Sequence, residues 1–510
     1  MKLIRKSIVL LIIAISTFIT ITPISAEHLV ILTTNDTHSR IDPDFDGKGG
    51  ILRRKVVFDS IRAKEKNVMA IDAGDAVQGT LYFSLFKGAI EFPLLDSLKY
   101  DINILGNHEF DNGMEAIAPY YKNLKTIKLS SNYDFSATPL AGIFQPYVIK
   151  EYDGKKIGFM GINLNPSGMI ADKNFKGLTY KDVIETANAT AAHLKHDLGV
   201  DYVIMISHIG YDSDIKTTPG DVNVIEASKD IDLVIGGHSH TTVDPEKKKP
   251  LYKIKNKDGK NVIVTQTGSA GKNVGVIDID LNDLEANYHL LQIDKRYDSR
   301  INYPALQGFL KPYKHVVDSI MNHEVAISEE YMPNACLGAL SNWVSDAARD
   351  ITRNISGQKV DFSIMNRGGI RQPMPKGSIS EGIIGSMFPF DNKLMIIELK
   401  GQQVLDAFVV MAKRQGDGVS SDLKVTYTED GHIKKALYNG KKIKKNKIYR
   451  IATLDYLANG GDYMTPFKEG KQVFADDKKL SDRILEYVEG LSKAGKTIKS
   501  NDAERMYEVK

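Results

Sequence analysis

Residues 104–113 read ILGNHEFDNG. The stretch begins as an apolar strand, then sets a glycine, an amide, an imidazole and two carboxylates in quick succession. A strand-to-helix turn accounts for part of this, with Asn107 bending the chain and Asp111 capping the helix that follows. That explains Gly106 and one polar residue. It gives His108 and Glu109 nothing to do, so their partners must come from elsewhere in the chain.

Similar stretches recur. HLVILTTND (28–36), NVMAIDAGD (67–75), DINILGNHE (101–109), DYVIMISHIG (201–210), DLVIGGHSH (232–240) and NVIVTQTGS (261–269) are short Val/Ile-rich runs that end in polar clusters. Buried strands of an α/β sheet look like this, with chemistry on the loops at their carboxyl ends. Between them, ILRRKVVFDSIRAK (51–64) and YKDVIETANATAAHLKHDL (180–198) carry helical spacing. YVIKEYDGKKIGFMGIN (147–163) reads as a hairpin turning at Asp153-Gly154.

The strand ends supply the missing partners. Asp36 and His38 are two apart, so on an extended strand end they point the same way. Asp75 closes IDAGD, Asn107 and His108 sit in GNHE, His208 closes VIMISH, and His238 and His240 close GGHSH. A lone histidine at a strand end is more often a cap or a core residue; the ordered series carries the weight. Its donors are oxygen and nitrogen only. They suit two divalent transition ions such as Zn²⁺, Mn²⁺, Fe²⁺ or Co²⁺ better than Ca²⁺, which prefers all-oxygen cages.

Taken in order, the D-x-H, G-D, G-N-H-E, H and G-H-x-H elements resemble the signature of the calcineurin-like metallophosphoesterases. The resemblance implies two divalent metal ions, with Zn, Mn or Co favoured. Asp36, His38, Asp75 and His240 would hold one, and Asp75, Asn107, His208 and His238 the other, Asp75 bridging. It also implies that His108 is catalytic and faces the substrate phosphate, with Asp111 holding its ring and raising its pKa. Glu109 receives no role.

Three later stretches, IMNRGGIRQ (364–372), FPFDN (388–392) and LDYLANGGDYM (454–464), are similar in this order to the C-terminal domain of the 5′-nucleotidase family. By that match Asn366 and Arg371 would contact substrate polar groups, Phe390 and Tyr456 would sandwich a base, Asp462 would accept from ribose hydroxyls, and Asn392 would reach the base edge or ribose. Arg367 stands where the family has the first glycine of a triplet. PNACLGALSNWVSDA (333–347) carries no arginine where the family tends to have one. The implied fold is α/β: an N-terminal four-layer αββα metallophosphoesterase sandwich and a second α/β substrate-binding domain.

Composition agrees with such an enzyme. With 510 residues the chain should form about two to four domains. A hydrophobic fraction of 42%, a charged fraction of 26% and a formal charge of +3 give no sign of a nucleic-acid polymer as partner. The most basic run, NGKKIKKNK (439–447), reads as a solvated hairpin edge. Lys2, Arg5 and Lys6 precede the apolar run at 8–22, which reads as a secretory signal cleaved after Ala26, an uncleaved anchor being the alternative. Export to a periplasmic or extracellular location follows, with no membrane span expected in the mature chain. Cys336 is the only cysteine, so no intrachain disulfide can form.

The expected organisation is a signal peptide at 1–26, the metallophosphoesterase domain at 27–299, a linker helix at 300–323 and the substrate-binding domain at 324–510. The expected activity is release of phosphate from nucleoside 5′-monophosphates, with nucleotide as partner. A 2′,3′-cyclic nucleotide phosphodiesterase/3′-nucleotidase, a UDP-sugar hydrolase and a non-catalytic nucleotide-binding protein are the alternatives. Oligomeric state is left open.

Overall fold

The computed structural model describes residues 28–212, 218–334 and 337–509; the leader read at 1–26 and Cys336 lie outside the described residues. The main strands of the N-terminal half are β1 (His28–Thr34), β2 (Asn67–Asp72), β3 (Ile102–Ile104), β4 (Ile127–Leu129), β5 (Tyr147–Tyr152), β6 (Lys155–Asn163), β7 (Tyr202–His208), β8 (Leu233–Ile235), β9 (Lys253–Lys255), β10 (Asn261–Thr265), β11 (Asn273–Asp280) and β12 (Ala286–Gln292). They form two six-stranded sheets, in the orders β12-β11-β1-β2-β3-β4 and β9-β10-β8-β7-β6-β5. Strands β1 to β4 run parallel, as do β6, β7, β8 and β10. The later strands β11 and β12 join antiparallel.

Alternation along β1 shows how the layers arise. Leu29 and Ile31 enter the core shared by the two sheets, whereas Val30 and Leu32 enter the core under the helices Ile51–Arg62 and Met114–Asn123. On the second sheet, Ala187 of the helix Val183–Ala192 and Val224 of the helix Asp221–Ala227 pack in the same way. The result is an αββα sandwich. The hairpin read at 147–163 turns where expected, with Asp153 and Gly154 both at positive φ. The helix at 183–192 runs on into a wider π turn, His193–Asp197, before β7 begins.

The helix Pro304–Met321 has proline at its first turn and buries Leu306, Leu310 and Val317 in the core of the first sheet and its helices. The region beyond it forms a five-stranded sheet from β13 (Phe362–Met365), β14 (Lys393–Lys400), β15 (Gly418–Val419), β16 (Ile448–Leu454) and β17 (Lys471–Lys479), in the order β15-β13-β16-β14-β17. The helix Ala339–Ser356 packs into one of its cores and Gly401–Lys413 into another. The basic run at 439–447 is a hairpin edge turning at Asn439-Gly440. No helix of the described residues is long and apolar enough to cross a membrane.

Ile204 lies in β7, pairs with Phe159 and Leu233 on its two neighbours, and is fully buried between the sheets. Ile204→Ala should cost about 2–5 kcal/mol and lower the melting temperature of this domain by roughly 4–20 °C. An unchanged thermal melt would show that the sheets do not pack here as described.

Candidate metal centre

Five loops meet at the carboxyl ends of β1, β2, β3, β7 and β8, three strands from the first sheet and two from the second. They bring together every residue of the histidine-aspartate series. Asp36, Asp75 and His208 are almost completely buried. Asp36, His38, Asp75, His238 and His240 all hold positive φ, between 46° and 81°. Such conformations cost about 1–3 kcal/mol each for residues other than glycine and persist only where surroundings fix them. Here they are fixed by bonds between loops: the Asp36 and His38 amides donate to the Gly74 and Asp75 carbonyls at 2.9 and 3.0 Å.

Three imidazole Nε2 atoms, those of His240, His38 and His208, lie 3.4, 3.7 and 3.9 Å from Asp36 Oδ1. That oxygen is buried and accepts no hydrogen bond. His208 Nε2 lies 3.1 Å from Asp75 Oδ2 but off the line of a hydrogen bond. On the other side, His238 Nδ1 is 2.8 Å from Asn107 Oδ1. The groups Asp36–His38–His240 and Asp75–His208–His238 each gather three donor atoms within 4.8 Å of one another.

The backbone sets the tautomers. His38 Nδ1 faces the Gln78 carbonyl at 3.1 Å and His208 Nδ1 faces the Ala73 carbonyl at 2.7 Å. A carbonyl only accepts, so each Nδ1 carries a proton and, when the ring is neutral, the Nε2 lone pair turns inward. His38 Nε2 then faces His240 Nε2 at 2.8 Å, and His208 Nε2 faces a carboxylate. Lone pairs in such proximity need a positive charge between them. Burial disfavours a charged His208, yet Asp75 and Asp36 outweigh it and raise its pKa to about 10. The same demand for positive charge, with orphaned oxygen and nitrogen donors, fits divalent transition ions.

His108 and Glu109 divide the tasks of the GNHE turn. His108 Nδ1 bonds Asp111 Oδ2 at 2.9 Å, and Gln78 Nε2 donates to the same oxygen at 2.9 Å. Burial disfavours the charged ring, while Asp111 and Asp75 prevail and raise its pKa. Glu109 is buried; its Oε2 accepts from the Gly106 and Asp75 amides at 2.6 and 3.1 Å, and its Oε1 from the Ala76 amide at 2.9 Å. Gly106 has no room for a side chain, since a Cβ there would lie 2.1 Å from Asp75 Oδ1.

The second domain reaches this cluster. Arg371 Nη2 lies 3.2 Å from His108 Nε2, the Phe390 ring is 5.7 Å from the His108 ring, and the Arg371 guanidinium sits 5.5 Å from the Phe390 ring centre. Asn366, Phe390 and Asn392 line one small cavity with Gly369 and Leu454. Asn366 Nδ2 donates to Asp462 Oδ2 at 2.8 Å and Tyr456 Oη to Asp462 Oδ1 at 3.0 Å. Arg414, which the sequence reading passed over, donates to Asp462 Oδ2 at 2.9 Å and to its carbonyl at 3.0 Å. Arg367 turns aside and donates to the Arg414 carbonyl at 2.8 Å.

Comparison with known proteins agrees with this architecture. The family described as calcineurin-like phosphoesterase matches residues 29–242, and the family described as 5′-nucleotidase, C-terminal domain, matches residues 329–469. The chain belongs to the 5′-nucleotidase family. As a member of that family it is a metallophosphoesterase, a phosphoester hydrolase for which divalent metal ions are implied. Similar relatives include the human 5′-nucleotidase, 26% identical over 502 residues and covering 87% of this chain and 85% of the relative. The trifunctional nucleotide phosphoesterase protein YfkN of Bacillus subtilis is 24% identical over 532 residues, covering 91% of this chain; the chain spans 34% of that longer protein. Among solved structures, a 5′-nucleotidase precursor from Thermus thermophilus is 26% identical, with a TM-score of 0.82 over 94% of this chain and 99% of the other.

Proposed function

We propose that this 5′-nucleotidase family member releases phosphate from nucleoside 5′-monophosphates in the cleft between its two domains, with recognition supplied by one domain and chemistry by the other. The observation that carries this reading is the approach of Arg371 and Phe390 to His108, at 3.2 Å between Arg371 and the imidazole and 5.7 Å between the two rings. A phosphate there has a guanidinium and an imidazole within reach, and a flat aromatic face stands beside them.

Asp36, His38, Asp75 and His240 would hold one divalent ion, Zn, Mn or Co, and Asp75, Asn107, His208 and His238 the second. When bound, such ions polarise phosphoryl oxygens and lower the pKa of an attacking water. The chain's own residues do the rest. Asp111 and Gln78 hold the His108 ring so that Nε2 faces the cleft, where its proton passes to the ribose 5′-oxygen as the P–O bond breaks. Arg371 pairs with the phosphate oxygens. Phe390 and Tyr456 flank the base, Asp462 and Asn366 meet the ribose, and Asn392 meets the base edge or ribose.

The domain limits at 27–299, 300–323 and 324–510 belong to this reading, as does export, which the charged, apolar and small-residue order of the first 26 residues supports. Phosphate release from AMP, UMP, ADP, ATP, cyclic nucleotides and UDP-glucose, with added Mn²⁺, Zn²⁺ or Co²⁺, tests the substrate. AMP and UMP should give the highest kcat/KM; a higher value for a cyclic nucleotide or UDP-glucose would replace this reading.

Two substitutions separate the roles. His108→Ala should keep both ions and lower kcat by about 10²–10⁴-fold. Loss of an ion instead would make His108 a ligand, which its place within 4.8 Å of donors on His38 and Asp75 makes a fair test. Phe390→Ala should lower kcat/KM for AMP by about 5- to 150-fold, the worth of one stacked base, and leave p-nitrophenyl phosphate unaffected. An equal fall for both substrates would assign Phe390 to the fold.

A further inference from the structure

The Glu109 carboxylate remains without a part in recognition or chemistry. It is 1% exposed, and no side chain hydrogen-bonds to it among the described residues. Its three bonds all go to backbone amides, and they join two loops. Gly106 lies in its own turn, whereas Asp75 and Ala76 are 34 and 33 residues away on the loop after β2. A helix-start role would place its acceptor bonds in the turn it begins; two of the three go elsewhere.

We infer that Glu109 is a positioning residue that sets the spacing of the Asp75 and Asn107 loops, and so the spacing of the two ion positions. This rests on the metal-centre reading above. The loops are already packed to contact, since a Cβ on Gly74 would lie 2.6 Å from the Gly106 amide and one on Gly106 would strike Asp75. Contact alone stops them from approaching. The carboxylate supplies the opposing pull, and with both in place the separation is fixed.

The orientation of Asp75 follows from that separation. Its amide is held by Glu109 Oε2, and the His108 amide donates to its Oδ1 at 2.8 Å. Oδ2 is thereby left facing His208 Nε2 at 3.1 Å and His38 Nε2 at 4.0 Å. A loop displaced by a fraction of an ångström would break the His108 bond, free Asp75 to rotate and blur the distinction between its two oxygens.

A carboxylate is the group this task requires, because three N–H donors need acceptors on both oxygens. Glu109→Gln keeps the shape but turns an NH₂ toward at least one N–H. Glu109→Asp keeps the carboxyl group and loses one methylene of reach, so it should not restore the spacing. Changes one step removed from metal ligands typically cost about 10- to 100-fold in metal affinity.

The test strips wild type and both variants with chelator, then titrates Mn²⁺ or Zn²⁺ against a chromophoric chelator and follows the melting of the metal-free proteins. Both variants should bind at least one ion about 10- to 100-fold more weakly, and excess metal should recover kcat for p-nitrophenyl phosphate. A lowered metal-free melting temperature with wild-type affinity in the folded protein would overturn the proposal, leaving Glu109 a part of the fold only. Should Glu109→Gln not fold, wild-type affinity in Glu109→Asp overturns it equally. Failure of wild type itself to take up two ions would instead remove the metal-centre reading, so the two failures are distinct.

Discussion

Two buried carboxylates govern the architecture. Asp36 and Asp75 are withdrawn from water at the end of the sandwich, and their ion pairs among the described residues are with histidines alone. An isolated buried carboxylate is strongly unfavourable, so the surroundings must supply compensation. Part comes from hydrogen-bond donors: the His238 amide and the Asn35 side-chain amide donate to Asp36 Oδ2 at 2.9 and 2.6 Å, and the His108 amide donates to Asp75 Oδ1 at 2.8 Å. The remainder is left to cations, which the imidazole nitrogens gathered around the same two carboxylates also call for. The left-handed loops are the means of crowding so many donors around two points.

Much of this was legible in the sequence because parallel strands place their chemistry in one predictable spot. A Val/Ile run followed by a histidine or aspartate says both that the residue sits at a strand end and that other such ends lie beside it. The order of Asp36, Asp75, Asn107, His208 and His238 along the chain therefore already described a cluster. What could not be read were contacts made by chance of register rather than by motif. Gln78 reaches Asp111 across 33 residues, and Arg414, in a stretch that reads only as a helix end, reaches Asp462 across 48. Glu109 was visible as a residue without a task, but its donors are backbone amides, which carry no side-chain signature. Strand β11 also ends in an aspartate, Asp280, but it runs antiparallel to β1 and pairs that residue with His28, at the end of the sheet opposite the cluster.

In the second domain the residues proposed to meet the nucleotide form one hydrogen-bonded unit. Asp462, itself at positive φ, accepts from Asn366, Tyr456 and Arg414, so these three side chains share a single carboxylate. Burial raises the Asp417 pKa, with Arg414 opposing, and this second carboxylate lies 3.4 Å from the same guanidinium. Tyr456 Oη also approaches the Met169 carbonyl of the first domain at 3.2 Å. The aromatic plane is thus referenced to both halves of the molecule, and so is the width of any slot between it and Phe390.

The donors come from both sheets: Asp36, Asp75 and Asn107 follow strands of one, His208, His238 and His240 strands of the other. The greasy layer between those sheets is therefore a ruler as well as a core. A side chain exchanged there for a bulkier one, far from any polar atom, shifts one set of donors against the other as the layers slide. For this chain, mutational drift in the most ordinary part of the fold is inseparable from drift in its chemistry, and interior residues such as Ile204 and Leu233 should be as restricted in their permitted shapes as the histidines are in kind.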